Sequence, residues 1–440
     1  MMRKKVVLFA IVSFLLSKSV FAQEIDSTLA ASGNVHILRL QKSYTLGEGL
    51  MVRSSVGNIT FNQSLQTLYM VTSANNFNTT SSEFSINRAR LTMKGNIFDK
   101  RISISTRINF PGTYQSTTTG TRSFNPELEE ALIQYSPNPT HTFNVGLRAD
   151  YIDSRELRIE GEDFGFVGRS AVSSAFDAVF DYGIRYVGNY KLGGRNILKP
   201  YLSLTTGDGR AGLQKNYGGL KYGIRVDYLP FDEFKGGGEA RMEDLEREQT
   251  PKLAVGVVYS IDKGATSAYG TNGGRYLYGD ANQNIVLPDY QKYIFDYIFK
   301  YRGFYSMGSL IATKATVPSN IAGAFSLTGK FTPYTGQTTQ QIQNTVLSYL
   351  DVGTGYNIQA GYLFKCDWGI GARYSYLSDN VHSAAFANNN RNYSFIATKY
   401  LSGNSLKIQA EIDYSELKNN LQSTNNTGTY TGQIMFCVNL

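Results

Sequence analysis

The sequence predicts an all-β chain, an antiparallel transmembrane β-barrel of sixteen strands with eighteen as the alternative, and three observations predict it. Residues 101–110 (RISISTRINF) put Ile102, Ile104, Ile108 and Phe110 on one face and Arg101, Ser103, Ser105, Arg107 and Asn109 on the other, because successive side chains of a strand point to opposite sides. After the N-terminus no stretch approaches the roughly twenty apolar residues of a membrane helix, so a closed barrel is the spanning structure left. The chain has 31 tyrosines and 43 glycines against 10 prolines, and 13% aromatic residues. That composition suits a barrel with aromatic girdles at its two interfaces.

The N-terminus sets the compartment. Arg3, Lys4 and Lys5 precede an apolar run from Val6 to Leu16, and Val20-Phe21-Ala22 places small residues before a cut at Gln23. Residues 1–22 therefore read as a secretory signal peptide, the apolar run being too short to span a bilayer. Arg3, Lys4, Lys5 and Lys18 leave with it, so the formal charge falls from +8 to about +4. The bases are spread through alternating segments, which excludes a nucleic-acid-binding tail and places any positive field on an interior surface. Residues 23–48 read as a pre-barrel segment and 49–440 as a barrel in the outer membrane of a Gram-negative bacterium.

Strands and turns follow in order along the chain. Tyr182, Ile184 and Tyr186 alternate with Asp181, Gly183 and Arg185; Tyr222, Ile224 and Val226 alternate with Lys221, Gly223 and Arg225; Ile408 and Ile412 alternate with Lys407 and Glu411. Asp99-Lys100, Gly193-Gly194, Cys366-Asp367 and Ser402-Gly403-Asn404 read as short periplasmic turns. Longer polar insertions at 75–82, 150–180, 265–287, 315–352 and 377–391 read as extracellular or lumen-folded loops, with a short helix expected over 338–350. The final strand puts Tyr430, Ile434, Phe436, Val438 and Leu440 on one face.

GEGLMVRSSVGNITFNQSLQ (47–66) and FSINRARLTMKGNIFDK (84–100), followed in order by PKLAVGVVY (251–259), GYNIQAGYLF (355–364), IGARYSYL (370–377) and NSLKIQAEIDY (404–414), resemble the phosphate-selective porins O and P family. The resemblance implies a sixteen-stranded homotrimeric porin with an inward-folded third loop near 150–180 and a basic pore that passes anions. It identifies 147–170 as the constriction, with Arg155, Arg158 and Arg169 on the loop. Here the chain departs from the family: Gly146-Leu147-Arg148-Ala149-Asp150 replaces the usual GQFK-P-type stretch, and Asp150, Asp153, Glu156, Glu160, Glu162 and Asp163 accompany the arginines.

With the aliphatic face outward, Arg88, Arg90, Lys94, Arg101, Arg107, Arg148, Arg185, Lys221, Arg225 and Arg373 point into the lumen, because a cation on the lipid face costs about 2–4 kcal/mol at mid-depth. Such a lining passes small anions. The plainer reading pairs these bases with Asp181, Asp227, Asp296, Glu411 and Asp413 across strands. Arg88, Arg90, Arg101 and Arg107 have no carboxylate within their own two segments. Glu127, Glu129 and Glu130, and the cluster Glu239, Glu243, Asp244, Glu246 and Glu248, read as solvated loops. His36, His141 and His382 lack a serine partner at readable spacing, and with Cys366 and Cys437 they form no zinc pattern. No cofactor and no catalysis are expected. The competing function is a barrel that serves as a binding or structural platform without channel activity.

Overall fold

The structure, a computed structural model, describes residues 40–74, 80–97, 100–110, 115–116, 122–123, 126–177, 180–209, 218–265, 277–326, 329–378, 389–417 and 427–440. The signal peptide expected at 1–22, together with His36 and His382, lies outside them. A ring of 16 antiparallel strands forms the barrel. These are β1 (Gly57–Ala74), β2 (Thr80–Ile97), β3 (Ile102–Asn109), β4 (Glu127–Asn138), β5 (His141–Arg148) and β6 (Asp181–Gly188, continuing as Tyr190–Gly193). There follow β7 (Asn196–Thr205), β8 (Lys221–Leu229), β9 (Lys252–Asp262), β10 (Asp289–Tyr301) and β11 (Phe304–Thr316). The last five are β12 (Thr354–Leu363), β13 (Trp368–Leu377), β14 (Asn389–Ser402), β15 (Leu406–Leu417) and β16 (Thr427–Asn439). Pairing of β16 with β1, from Thr429↔Ala74 to Asn439↔Ser64, closes the ring and leaves no open edge in the bilayer.

The alternation read from the sequence fixes which side is out. Ile133, Ile184, Ile224, Val257, Phe395 and Ile412 are exposed on the exterior, whereas Arg185, Arg225, Asp227, Lys292, Asp296 and Glu411 are buried inside. Tyr356, Tyr374, Tyr393, Tyr414 and Tyr430 stand ring to ring across β12–β16 at centroid spacings of 6.0, 5.0, 6.3 and 4.8 Å. They form a belt at the extracellular end of those strands. At the periplasmic end Phe143 meets Tyr186 at 5.4 Å and Tyr362 meets Phe364 at 5.0 Å, with Trp368 exposed nearby. Two aromatic belts around an apolar band are the outer surface of a bilayer-spanning barrel.

The ring begins at Gly57, not at Gly49. Gln41–Thr45 and Gly49–Ser54 form a hairpin whose second strand pairs with the first residues of β1, Leu50↔Phe61 to Ser54↔Gly57. It continues the sheet below the point where Leu440 and Gln63 exchange backbone hydrogen bonds. The short turns lie where glycine or a positive φ allows a tight reversal, at Gly193 and Gly194, Asp367 and Gly403. The expected helix at 338–350 is present as Thr339–Tyr349, with Thr338 and Gln341 in a reciprocal capping box. It packs Val346 and Leu350 against Tyr278 and the inward-facing Tyr290.

One half of the lumen is filled. The β5–β6 loop, in its described residues 149–177 and 180, lies inside the barrel with the one-turn helix α1 (Arg155–Arg158) and α2 (Ala171–Phe176). Ile152, Val172 and Phe176 pack on Val258, Ile294 and Ile311 of β9–β11. The β8–β9 connection, residues 230–251, folds up from the periplasmic end and brings Phe234 and Met242 against Phe164, Phe166 and Ile298. This corrects the reading of its carboxylates as solvated: Glu243, Asp244 and Glu248 are buried. They are buried because each has a donor or a cation close by. Tyr400 donates to Glu243 at 2.6 Å, Gly303 N to Asp244 at 2.7 Å and Lys235 N to Glu248 at 2.6 Å. Glu129 and Glu130 are likewise buried on the inner face of β4.

Candidate functional site

The filled half is fastened by the barrel's own cations. Arg225 of β8 pairs with Asp227 at 2.7 Å and Asp296 at 2.6 Å, and Arg155 of α1 reaches the same carboxylates at 3.1 and 3.2 Å. Gly256 of β9 makes room for this knot, because a Cβ there would sit 2.3 Å from the Arg225 guanidinium and 2.5 Å from Asp227. Arg373 of β13 bonds Gly168 O at 2.7 Å and Glu411 at 3.1 Å, and Lys407 of β15 donates to Phe164 O at 2.7 Å. Arg185 of β6 pairs with Asp150 at 3.2 Å, and Lys221 is buried opposite Asp262. Four of the ten strand cations expected to line a pore, Arg185, Lys221, Arg225 and Arg373, therefore face the filled half, three of them in ion pairs. Arg101 lies exposed in the turn before β3.

The other five meet across open space. Between the loop and the β1–β5 wall is a cavity of about 470 Å³, lined by Arg88, Arg90, Arg107 and Arg148 from the wall and by Arg155, Arg158 and Arg169 from the loop. A second cavity of about 360 Å³ includes Lys94, Asn58, Asn96 and Ser103 near the periplasmic ends of β1–β3. The two share Glu130, Arg148 and Glu160, so these three side chains mark the neck between them.

The arginines differ in what holds them. Arg148 lies 4.2 Å over the Tyr151 ring and hydrogen-bonds its hydroxyl. Tyr151 packs on Tyr201 at 5.1 Å, and Arg158 covers Tyr201 at 4.9 Å. The result is a row of guanidinium, ring, ring, guanidinium held by cation–π contact. Arg158 also pairs with Asp227 at 3.0 Å. Arg88 bonds the Gln66 amide oxygen at 2.7 Å and lies on the backbone of Gly161, where a Cβ would stand 2.5 Å from it. Arg169 donates to Glu156 O and to Ile159 O.

Arg90 and Arg107 do meet carboxylates, supplied from outside their own two strands. Glu129 of β4 holds Arg90 at 2.8 Å, Glu162 lies at 3.5 Å, and Glu160 bonds Arg107 at 2.8 Å and lies 3.8 Å from Arg90. Its enclosure by the barrel would by itself raise the Glu160 carboxyl, but Arg107, Arg90 and Lys94 outweigh that and hold it below the usual carboxylate range. Sequence separation hides these partners: Arg107 and Glu160 are 53 residues apart and meet only because the loop turns inward. Among the described residues no group of three or more His, Cys, Asp or Glu side chains is placed to hold a metal ion.

No family model matches the chain, and no curated protein sequence matches it. Among solved structures it is similar to an anion-selective porin from Comamonas acidovorans, at 9% identity over 87% of this chain and 100% of that one, with a TM-score of 0.50. It is also similar to OmpF of Salmonella typhi in complex with daunomycin, at 11% identity over 90% of this chain and 100% of that one, TM-score 0.49. The trimer form of OmpT, an outer membrane protein of Vibrio cholerae, aligns at 9% identity over 87% of this chain and 100% of that one, TM-score 0.47. At such identities the likeness is one of fold. With its closed ring, apolar band and paired aromatic belts, the chain is a sixteen-stranded outer-membrane barrel of porin architecture.

Proposed function

We propose that this barrel is a passive diffusion porin whose aqueous path runs down the β1–β5 side and favours small anions. The observation that carries the reading is the lining of that path: Arg88 of β2 and Arg148 of β5 are held by an amide and an aromatic ring with no carboxylate in ion-pair distance among the described residues. A guanidinium held that way keeps its full charge for the solute, and a cationic wall in a narrow wet pore lowers the barrier for anions. The porin of Comamonas acidovorans is itself described as anion-selective, but the reading rests on the lining. Removal of residues 1–22 as a signal peptide and assembly as a homotrimer belong to the same proposal. Selectivity for phosphate has less support, because Glu129, Glu130 and Glu160 stand among the arginines.

Purified barrel in a planar bilayer tests this. Arg88→Gln with Arg148→Gln is expected to lower the chloride-to-potassium permeability ratio by about two- to fivefold at low salt, with less effect at high salt where screening is short. An unchanged ratio would remove the two arginines from the path. A wild-type barrel that carries no current would favour the platform reading, to which the filled half-lumen and the lobe around Thr339–Tyr349 lend themselves.

A further inference from the structure

Glu160 differs from every other acid in the passage. Its side chain is 43% exposed, whereas the two guanidiniums it touches, Arg107 and Arg90, are 9% and 11% exposed. The carboxylate is therefore the part of the cluster that faces water, and it covers the cations from the lumen side. It also stands at the neck, on the wall of both cavities.

Its partners do not need it equally. Arg90 keeps Glu129 at 2.8 Å and Glu162 at 3.5 Å if Glu160 swings away. Among the described residues Arg107 then keeps the Thr92 hydroxyl at 3.4 Å as its direct bond, while its cross-strand neighbour Glu130, which accepts from Ser105, faces it outside ion-pair distance. Arg107 would then present a free, forked guanidinium to the passage, the shape that takes a carboxylate or tetrahedral oxyanion in two hydrogen bonds. Glu160 lies between α1 and the short turn Gly161–Asp163, outside any strand, so a side-chain rotation suffices to vacate the position.

We infer that Glu160 is a tethered counter-ion seated in the passage's own anion site, and that a permeating carboxylate or oxyanion exchanges with it on Arg107. This rests on the porin reading above and deepens it. Exchange of one carboxylate for another on the same guanidinium is nearly balanced, so an anion enters without being trapped, as conduction requires. It also explains how an arginine-rich neck stays wet and unblocked: on the wall side Arg88, Arg90, Lys94, Arg107 and Arg148 face Glu129, Glu130, Glu160 and Glu162, and loss of Glu160 widens an existing excess of cations.

The test compares wild type, Glu160→Gln, Glu160→Asp and Glu160→Gln with Arg107→Gln, each as folded full-length barrel. Two readouts are taken: reversal potential in a potassium chloride gradient, and calorimetric titration with sodium sulfate at low ionic strength. Glu160→Gln is expected to raise the chloride-to-potassium ratio by about threefold and to gain sulfate affinity by about tenfold, because one cation loses its internal partner. Glu160→Asp, one methylene short of Arg107, is expected to fall between, and the double variant to lose both gains. Unchanged selectivity and unchanged sulfate binding in a folded Glu160→Gln or Glu160→Asp barrel would overturn the inference. So would gains that survive loss of Arg107. A silent wild-type barrel would instead overturn the porin reading, while the sulfate titration, which needs no current, would still decide whether Glu160 occupies an anion site.

Discussion

Arg225 and Arg148 both point into the same barrel, one from the β8 wall and one from the β5 wall, and they do different things there. Arg225 is fully buried between Asp227 and Asp296 and bonds the loop backbone at Asp153 O, 3.1 Å away. Arg148 is half-buried, lies on Tyr151 and faces the open neck. The difference separates two halves of one lumen. On the β6–β15 side the inward cations are answered by acids of the neighbouring strands and of the loop, and bond loop carbonyls; on the β1–β5 side the loop retreats and leaves guanidiniums beside water. The inward surface of the filled half thus anchors the loop that narrows the lumen.

The two halves differ most in what the buried knot contributes to stability. Arg225→Met removes one cation from a site where Asp227 and Asp296 are out of water, and taking one partner from a buried pair costs about 3–5 kcal/mol. Arg148→Met removes a half-exposed cation without a carboxylate partner, for which a cost under about 1 kcal/mol is expected. Urea unfolding of the two variants in detergent micelles measures the gap. Equal midpoints would mean that the two halves are not held differently, and the division drawn here would fail.

A second contrast tests the wall itself with neighbours on one strand. Ile224 is exposed and Arg225 buried, so Ile224→Arg places a guanidinium on the lipid face near the middle of β8. The expected loss is about 2–4 kcal/mol, seen as a reduced yield of heat-modifiable barrel. Ser309→Thr, on the lumen face of β11, keeps its polar group and serves as the control, expected to assemble like wild type. Equal assembly of Ile224→Arg and the control would contradict the assigned faces.

Much of this was legible in the sequence, because a strand's two-residue period reports its two faces directly. The Tyr222–Ile224–Val226 row and the Lys221–Gly223–Arg225 row are the outer and inner faces of β8, and Tyr430, Ile434 and Phe436 are the outer face of β16. The periodicity does not say which inward cation meets which acid. Arg107 and Glu160, or Arg373 and Gly168 O, are brought together by the path of a loop, which has no period to read. The 230–251 segment failed as a solvated loop for the same reason, although Phe234 and Met242 among its charges were a signal that it had something to pack against.

The smallest predicted effect concerns how the loop is pinned to itself. Asp177, after α2, accepts from Ser154 N at 2.9 Å, from the Ser154 hydroxyl, and from the Ser173 hydroxyl at 2.5 Å, tying the two ends of the lumen-folded segment together. Burial, and after it the charge of Asp153, push its carboxyl up to about 6. A carboxyl raised in the folded state binds its proton more tightly there than in the unfolded chain. Its contribution is therefore complete below the ordinary carboxylate range and is lost as pH rises through about 6. Glu160 and Glu239 are shifted the other way, so their losses fall at lower pH and leave the window between about 4 and 6 to groups such as Asp177. Cleavage of the 149–180 segment by a protease active across that window is expected to slow on acidification from pH 7 to pH 5, by an amount on the order of 1–2 kcal/mol in opening free energy. Asp177→Asn keeps the size and removes the titration, so it should flatten the pH dependence while the Arg225 knot still holds the loop in place. A pH dependence that survives this substitution would move the titrating group elsewhere in the filled half.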